Sequence, residues 1–175
     1  MANILHLGHP TLRQWASRVS DLESPKVQTL IDDLLETVRS ANGVGIAAPQ
    51  VNVSLQIMII ASRPNPRYPD APEMDPIALI NPQIIHRSPE TIKGWEGCLS
   101  VPQYRALVPR HRSMTVEYAD RTGTVVRSIF TDFIARIFQH EYDHFLGLVF
   151  LDRIESESDL ITSEQFKLRF PEQSA

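Results

Sequence analysis

Gln139-His140-Glu141-Tyr142-Asp143-His144 decides how the rest of this chain is read. In a helix, His140 and His144 stand four residues apart on one face, and two imidazoles placed so can hold a divalent cation. Glu141, beside the first histidine, can then reach a water on that cation. The flanks support a helix: Thr131 predicts its N-cap, and Gly147 predicts an end near Leu146. Phe133, Ile137, His140 and His144 fall along one side, with Ile134, Phe138 and Phe145 on the flank. A face that mixes apolar residues with ligands predicts a helix buried under a sheet, its imidazoles opening into a pocket.

Two histidines need a third ligand. The single cysteine, Cys98, sits in Gly94-Trp95-Glu96-Gly97-Cys98-Leu99-Ser100-Val101-Pro102, on irregular or short extended backbone. Taken alone, a lone thiol in a leaderless chain reads first as a small buried hydrophobe. As a ligand it would leave the fourth tetrahedral position open, the mark of a catalytic site rather than a structural one. Hydroxide is then available near neutral pH, and Glu141 takes a proton from water and passes it to a leaving amine. A backbone N–H next to Cys98 and the amide of Gln50 can meet the charge that develops on an attacked carbonyl oxygen. These parts make up metal-assisted hydrolysis of an amide. The rival is a zinc endopeptidase. Position 150 is Phe where one branch needs a third histidine, and Glu164, at the spacing of the other branch, stands in a setting that shows no support for a ligand.

Composition bounds the alternatives. An apolar content of 42% and a charged content of 22% over 175 residues predict one globular domain, long enough to bury a core. A net charge of −4 without long runs of one sign argues against direct nucleic-acid binding. No stretch approaches the ~18 apolar residues of a membrane span, and Met1–His6 carries no signal-peptide pattern, so a cytoplasmic location is expected, with organellar targeting left open.

Working along the chain, residues 9–17 predict a short helix after Pro10. Ser24 and Pro25 then open an amphipathic helix carrying Val27, Leu30, Ile31, Leu34, Leu35 and Val38, ended by Asn42-Gly43. Gly43–Gln50 reads as a helix-to-strand loop, or as a backbone ledge for a ligand with Gln50 as its polar tip. Leu55–Ile60 predicts a buried strand, and 63–76, with five prolines, a surface loop. Short strands are expected at 77–80, 83–86, 104–108, 114–119, 124–129 and 148–150, with a hairpin turn at Asp120–Gly123 and a last helix within 157–170. Arg105, Arg110, His111 and Arg112 form a basic cluster, which predicts ion pairs or a solvated edge.

Three stretches together resemble the peptide deformylase family: Gly43–Gln50, Glu96–Ser100 and Gln139–His144, in that order and at fitting separations. Leu7–Arg13 and Arg105–Arg110 are similar as well, so the resemblance covers about residues 4–155 and implies a single domain over 1–175 with that core and a C-terminal segment 156–175. It implies an α+β fold, with mixed or antiparallel strands around a central helix that binds metal. The implied reaction is removal of the N-formyl group from the formyl-methionine of nascent polypeptides. Residue by residue it implies Cys98, His140 and His144 as metal ligands and Glu141 as general acid/base. Gln50 and the backbone N–H of Leu99 hold the formyl oxygen. Val44, Gly45 and Gly97 lie along the substrate, and Phe133 and Ile137 line the methionine pocket. The implied metal is ferrous iron, with zinc or nickel as substitutes. Ile46 replaces the commoner Leu of the first motif, a near-neutral swap, while Gly94-Trp95 and Arg136 resemble a subgroup with organellar and some bacterial members. The C-terminal segment lacks the strong basic character with which some members dock on the ribosome, so that partner is not carried over.

Overall fold

The computed structural model describes residues 2–171. The C-terminal segment expected over 156–175 runs past that limit, so residues 172–175 lie outside the described ones, as does Met1. Helix α1 spans Pro25–Ser40, with the Ser24 hydroxyl accepting from the Val27 N–H and Pro25 in the first turn. Its buried residues are Val27, Ile31, Leu34, Thr37 and Val38, while Leu30 and Leu35, expected on the same stripe, are only partly buried against that cluster. The chain leaves α1 through Asn42 at φ 50°, and the Gly43 N–H donates to the Val38 carbonyl at 2.9 Å. Asn42, rather than the neighbouring glycine, takes the left-handed conformation.

Eight strands follow: β1 Gly45–Ala47, β2 Ile57–Ile60, β3 Ile77–Arg87, β4 Thr91–Cys98, β5 Val101–His111, β6 Ser113–Ala119, β7 Val125–Thr131 and β8 Leu160–Thr162. A five-stranded sheet runs β1-β2-β3-β6-β7 and a three-stranded sheet β4-β5-β8. All six strand pairings within them are antiparallel. Helix α2, Asp132–Phe145, carries the histidines, and the short α3, Ser163–Arg169, follows β8. Val44, Ala47, Met58, Leu79 and Phe130 close one side of α2 together with its own Ile137 and Phe138. Cys98, Ala106, Val108 and Phe150 form a separate cluster on the β4-β5 side. This is the α+β architecture expected, with a ligand-bearing helix packed between two sheets.

Several local expectations change. Residues 9–17 form only a 3-10 turn, Pro10–Arg13. The two strands expected at 77–80 and 83–86 are one strand, β3, bent by a register shift across Asn81-Pro82 and a second between Ile84 and His86. A bulge tolerates a proline that donates no ladder bond, and Asn81 holds the bend at φ 50° by bonding both backbone groups of Val19 through its side-chain amide. No strand forms at 148–150. Phe150 instead starts a 3-10 turn, held by the Val149 N–H donating to Asp152 at 2.8 Å. The helix expected within 157–170 begins only at Ser163, because Leu160 and Ile161 extend to pair with β5. Thr162 then caps α3 reciprocally with Gln165. Gly43–Gln50, read as a loop, contains edge strand β1 followed by a 3-10 turn at Ala48–Val51. Helix α2 ends as expected. Gly147 sits at φ 71°, and a Cβ there would lie 2.7 Å from the Arg13 carbonyl carbon, which excludes any larger residue without backbone movement.

Candidate active site and metal centre

α2 delivers His140 and His144 one turn apart, their ring centroids separated by 5.4 Å. β4 ends at Cys98, where the tight connection to β5 turns its thiol toward the same point. One donor atom from each of Cys98, His140 and His144 lies within 4.8 Å of the others, and all three residues are buried. Cys98 Sγ stands 3.5 Å from His144 Nε2. A tetrahedral ion with thiolate and imidazole ligands sets that edge at about 3.6 Å from its usual bond lengths. Glu96 accepts from His140 Nδ1 at 2.9 Å, and because a carboxylate only accepts, a proton sits on Nδ1, so Nε2 is the nitrogen left for a metal. Burial alone would raise the Cys98 thiol, yet His144 and His140 beside it hold it well below its usual range, so the thiolate is favoured. Two imidazoles and a thiolate suit a borderline divalent transition metal.

Glu141, next to His140, is 4% exposed, and its Oε2 has no partner among the described residues. Burial pushes its carboxyl up to about 7, against the opposing pull of His140 and His144. Gln50 is equally buried. Its side-chain oxygen accepts from the Ala47 N–H at 2.9 Å, which leaves Nε2 to donate to Ser100 Oγ at 3.1 Å and toward Cys98 Sγ at 3.5 Å. The polar tip expected of Gln50 is therefore a locked amide at the wall of the site. These groups border a cleft. Val44, Gly45, Gln50, Gly97, Leu99, Phe133, Ile137, His140 and Glu141 all line it, while Cys98 and His144 stand behind. Gly45 presses against α2, and a Cβ there would come within 2.6 Å of Glu141 Oε1 and 2.7 Å of Ile137.

A polypeptide deformylase family model matches residues 1–159. Peptide deformylase 2 of a Nostoc species is 57% identical over 94% of this chain and 92% of its own length. The chain belongs to the peptide deformylase family. Peptide deformylase 2 of Shewanella oneidensis is 44% identical over 92% of this chain and 88% of its own. A class I type b peptide deformylase from Acinetobacter baumannii, bound to Met-Ala-Ser, superposes at a TM-score of 0.86 with 45% identity, over 88% of this chain and 98% of that one. The deformylase thus hydrolyses the N-formyl group from new polypeptides, and it is metal-dependent.

Beneath Cys98, His140 and His144 of the deformylase lies a charged network that the sequence analysis did not assemble. Glu96, 3% exposed, accepts from Arg110 Nε at 2.9 Å and Nη2 at 3.0 Å, from Arg136 Nη1 at 2.9 Å and from His140. Burial opposes its charge, but Arg110 and His140 outweigh it and hold the carboxyl far below the usual carboxylate range. Arg110 Nη1 also donates to Asp143 at 2.7 Å, and Asp143 in turn accepts from Arg153 at 2.6 Å. Glu96 thus holds the His140 ring, Arg110 and Arg136 hold Glu96, and Asp143, itself held by Arg153, holds Arg110 in turn. The basic cluster of 105–112 divides: Arg110 is buried in this network, while Arg112 pairs at the surface with Glu90 and Asp132. Glu96 had only a weak local signal, a carboxylate two residues before Cys98, in a stretch read as irregular or short extended backbone that the structure shows to be the end of β4. Arg67 and Tyr68 had none. The proline-rich stretch, expected to be a surface loop, turns both into the cleft, with Tyr68 packed 5.4 Å from Phe133 and its hydroxyl 3.5 Å from the Gly97 carbonyl.

Proposed function

We propose that Cys98, His140 and His144 hold a ferrous ion, replaceable by zinc or nickel, and that Glu141 is the general acid/base of formyl hydrolysis. A divalent cation on these residues supplies Lewis acidity toward the formyl carbonyl and lowers the pKa of water at the site. Glu141, buried with one oxygen unpartnered, accepts the proton of the attacking water and returns it to the leaving amine of methionine. Gln50 Nε2 and the backbone N–H of Leu99 are the donors assigned to the formyl oxygen as charge builds on it. Gly45 of β1, with Val44 just before it, and Gly97 of β4 offer backbone along the cleft to the peptide, and the apolar Phe133 and Ile137 take the methionine side chain. The observation that carries this assignment is the meeting of a thiol from β4 with two imidazoles from α2, beside an unpaired carboxylate and a fixed amide. We place the activity on formyl-methionyl nascent chains in a reducing bacterial cytosol, where an Fe(II)–thiolate centre is preserved.

Chelation followed by metal return tests this reading. A chelator should lower formate release from a formyl-Met peptide by at least about 10²-fold, and Fe(II) added without oxygen should restore it. Cys98→Ser should bind the metal more weakly and should not recover on the same addition. Undiminished activity in the metal-free chain would overturn the assignment.

A further inference from the structure

β4 alternates across its sheet. Glu96 and Cys98 turn inward to the metal site, whereas Trp95 and Gly97 face the other way and still line the cleft. On β5, Leu107 lies opposite Trp95 and Arg105 shares its face, while β8 adds Ile161 opposite Arg105. α3 closes over this face. Phe166, 6% exposed, meets the Trp95 indole edge-on at 5.3 Å, and Phe170 meets it at 5.8 Å. The two phenyl rings stand 4.9 Å apart, and the Arg105 guanidinium lies 5.7 Å over the Phe166 ring. α3 is anchored at its start by the Thr162–Gln165 cap and by Ser163 Oγ donating to the Pro102 carbonyl at 2.7 Å. The family match ends at residue 159, so β8 and α3 lie beyond it.

We propose that the C-terminal segment Leu160–Phe170 buttresses the substrate cleft, by packing Phe166 and Phe170 against Trp95, which lines it. In this arrangement Trp95 is a specificity-determining wall for the side chains that follow the formylated methionine, and Phe166 is its positioning residue. The inference rests on the formyl-peptide reading above. Trp95 is three residues from Cys98 along an extended strand, roughly 10 Å at ~3.3 Å per residue. An extended peptide with its formyl group at the metal site covers that distance in about three residues. Its first side chain enters the Phe133–Ile137 pocket, and its second and third come beside Trp95. The indole is apolar and flanked by aromatic rings, so it favours apolar or aromatic residues there.

The test compares formate release from formyl-Met-Leu-Phe with release from formyl-Met amide, which lacks the following residues. Phe166→Ala should lower kcat/KM for the tripeptide roughly fivefold more than for the amide, chiefly through KM. Phe166→Leu, which keeps apolar volume but loses the ring edge, should fall between and guards against a misfolded Ala variant. Leu168→Ala, on the same helix but 79% exposed, should leave the ratio as it is. In a Trp15→Phe background, which leaves Trp95 as the one indole of two, Phe166→Ala should shift the emission to the red. Adding Phe166→Ala to Trp95→Ala should change the ratio no further. An unchanged substrate ratio in Phe166→Ala, or a further drop in the double variant, overturns the inference while leaving the deformylase reading standing. If the unaltered enzyme released no formate from either substrate, both would fall.

Discussion

Replacing Glu141 with Gln should lower formate release by roughly 10³-fold or more while metal content stays at one ion per chain. The two readouts separate because Glu141 borders the cleft without belonging to the Cys98–His140–His144 set. The substitution keeps the shape that packs against Gly45 and Ile137, so collapse of the cleft cannot account for the loss. It removes only the group able to take and return a proton. The unpartnered Oε2 belongs to a carboxylate held in reserve, since an unpaired buried carboxylate is otherwise costly. Formate release measured beside metal analysis of the same sample decides the point. A Gln variant as active as the parent would remove Glu141 from the reaction.

Glu96→Ala should have the largest effect on stability, about 3–5 kcal/mol, because it strands two guanidinium groups in a buried site. Arg110 keeps Asp143, and Arg136 keeps the carbonyls of Val108 and Ile92, so the network loosens without vanishing. For a chain of this size that corresponds to a fall of roughly 6–20 °C in Tm. The same substitution frees the His140 ring, whose proton on Nδ1 is set by Glu96, and metal affinity should fall roughly 10- to 100-fold. Thermal unfolding and metal titration of the purified variant read the two effects separately. Glu96→Gln, which still accepts hydrogen bonds but carries no charge, should lie between. Equal Tm values for Glu96→Ala and the parent would show that the buried charges do not depend on one another.

The helices were legible because their signals are local. Ser24-Pro25 and the stripe from Val27 to Val38 specify α1, and the spacing of His140 and His144 specifies the face of α2. The candidate site was legible where chemistry and spacing coincide: a thiol, two imidazoles one turn apart and an adjacent carboxylate. The remainder depends on partners distant in sequence. Asn81-Pro82 reads as a break between strands, and only the Val19 backbone shows it to be a bend within one. Leu160 and Ile161 fit a helical spacing as well as an extended one, and pairing with β5 decides between them. Arg136 and Arg110 are 26 positions apart, on a helix and a strand, and the carboxylate that joins them is on another strand. Arg67 and Tyr68 sit in a stretch without periodicity, so no pattern in the sequence aims them at the cleft.

The most direct measurement is product analysis of formyl-Met-Ala-Ser incubated with anaerobically purified, metal-loaded enzyme. Formate and free Met-Ala-Ser should form in equal amounts, with every peptide bond intact. Release of formyl-Met or of Ala-Ser would show peptide-bond cleavage at the same centre and would contradict the assignment of this site to the formyl group.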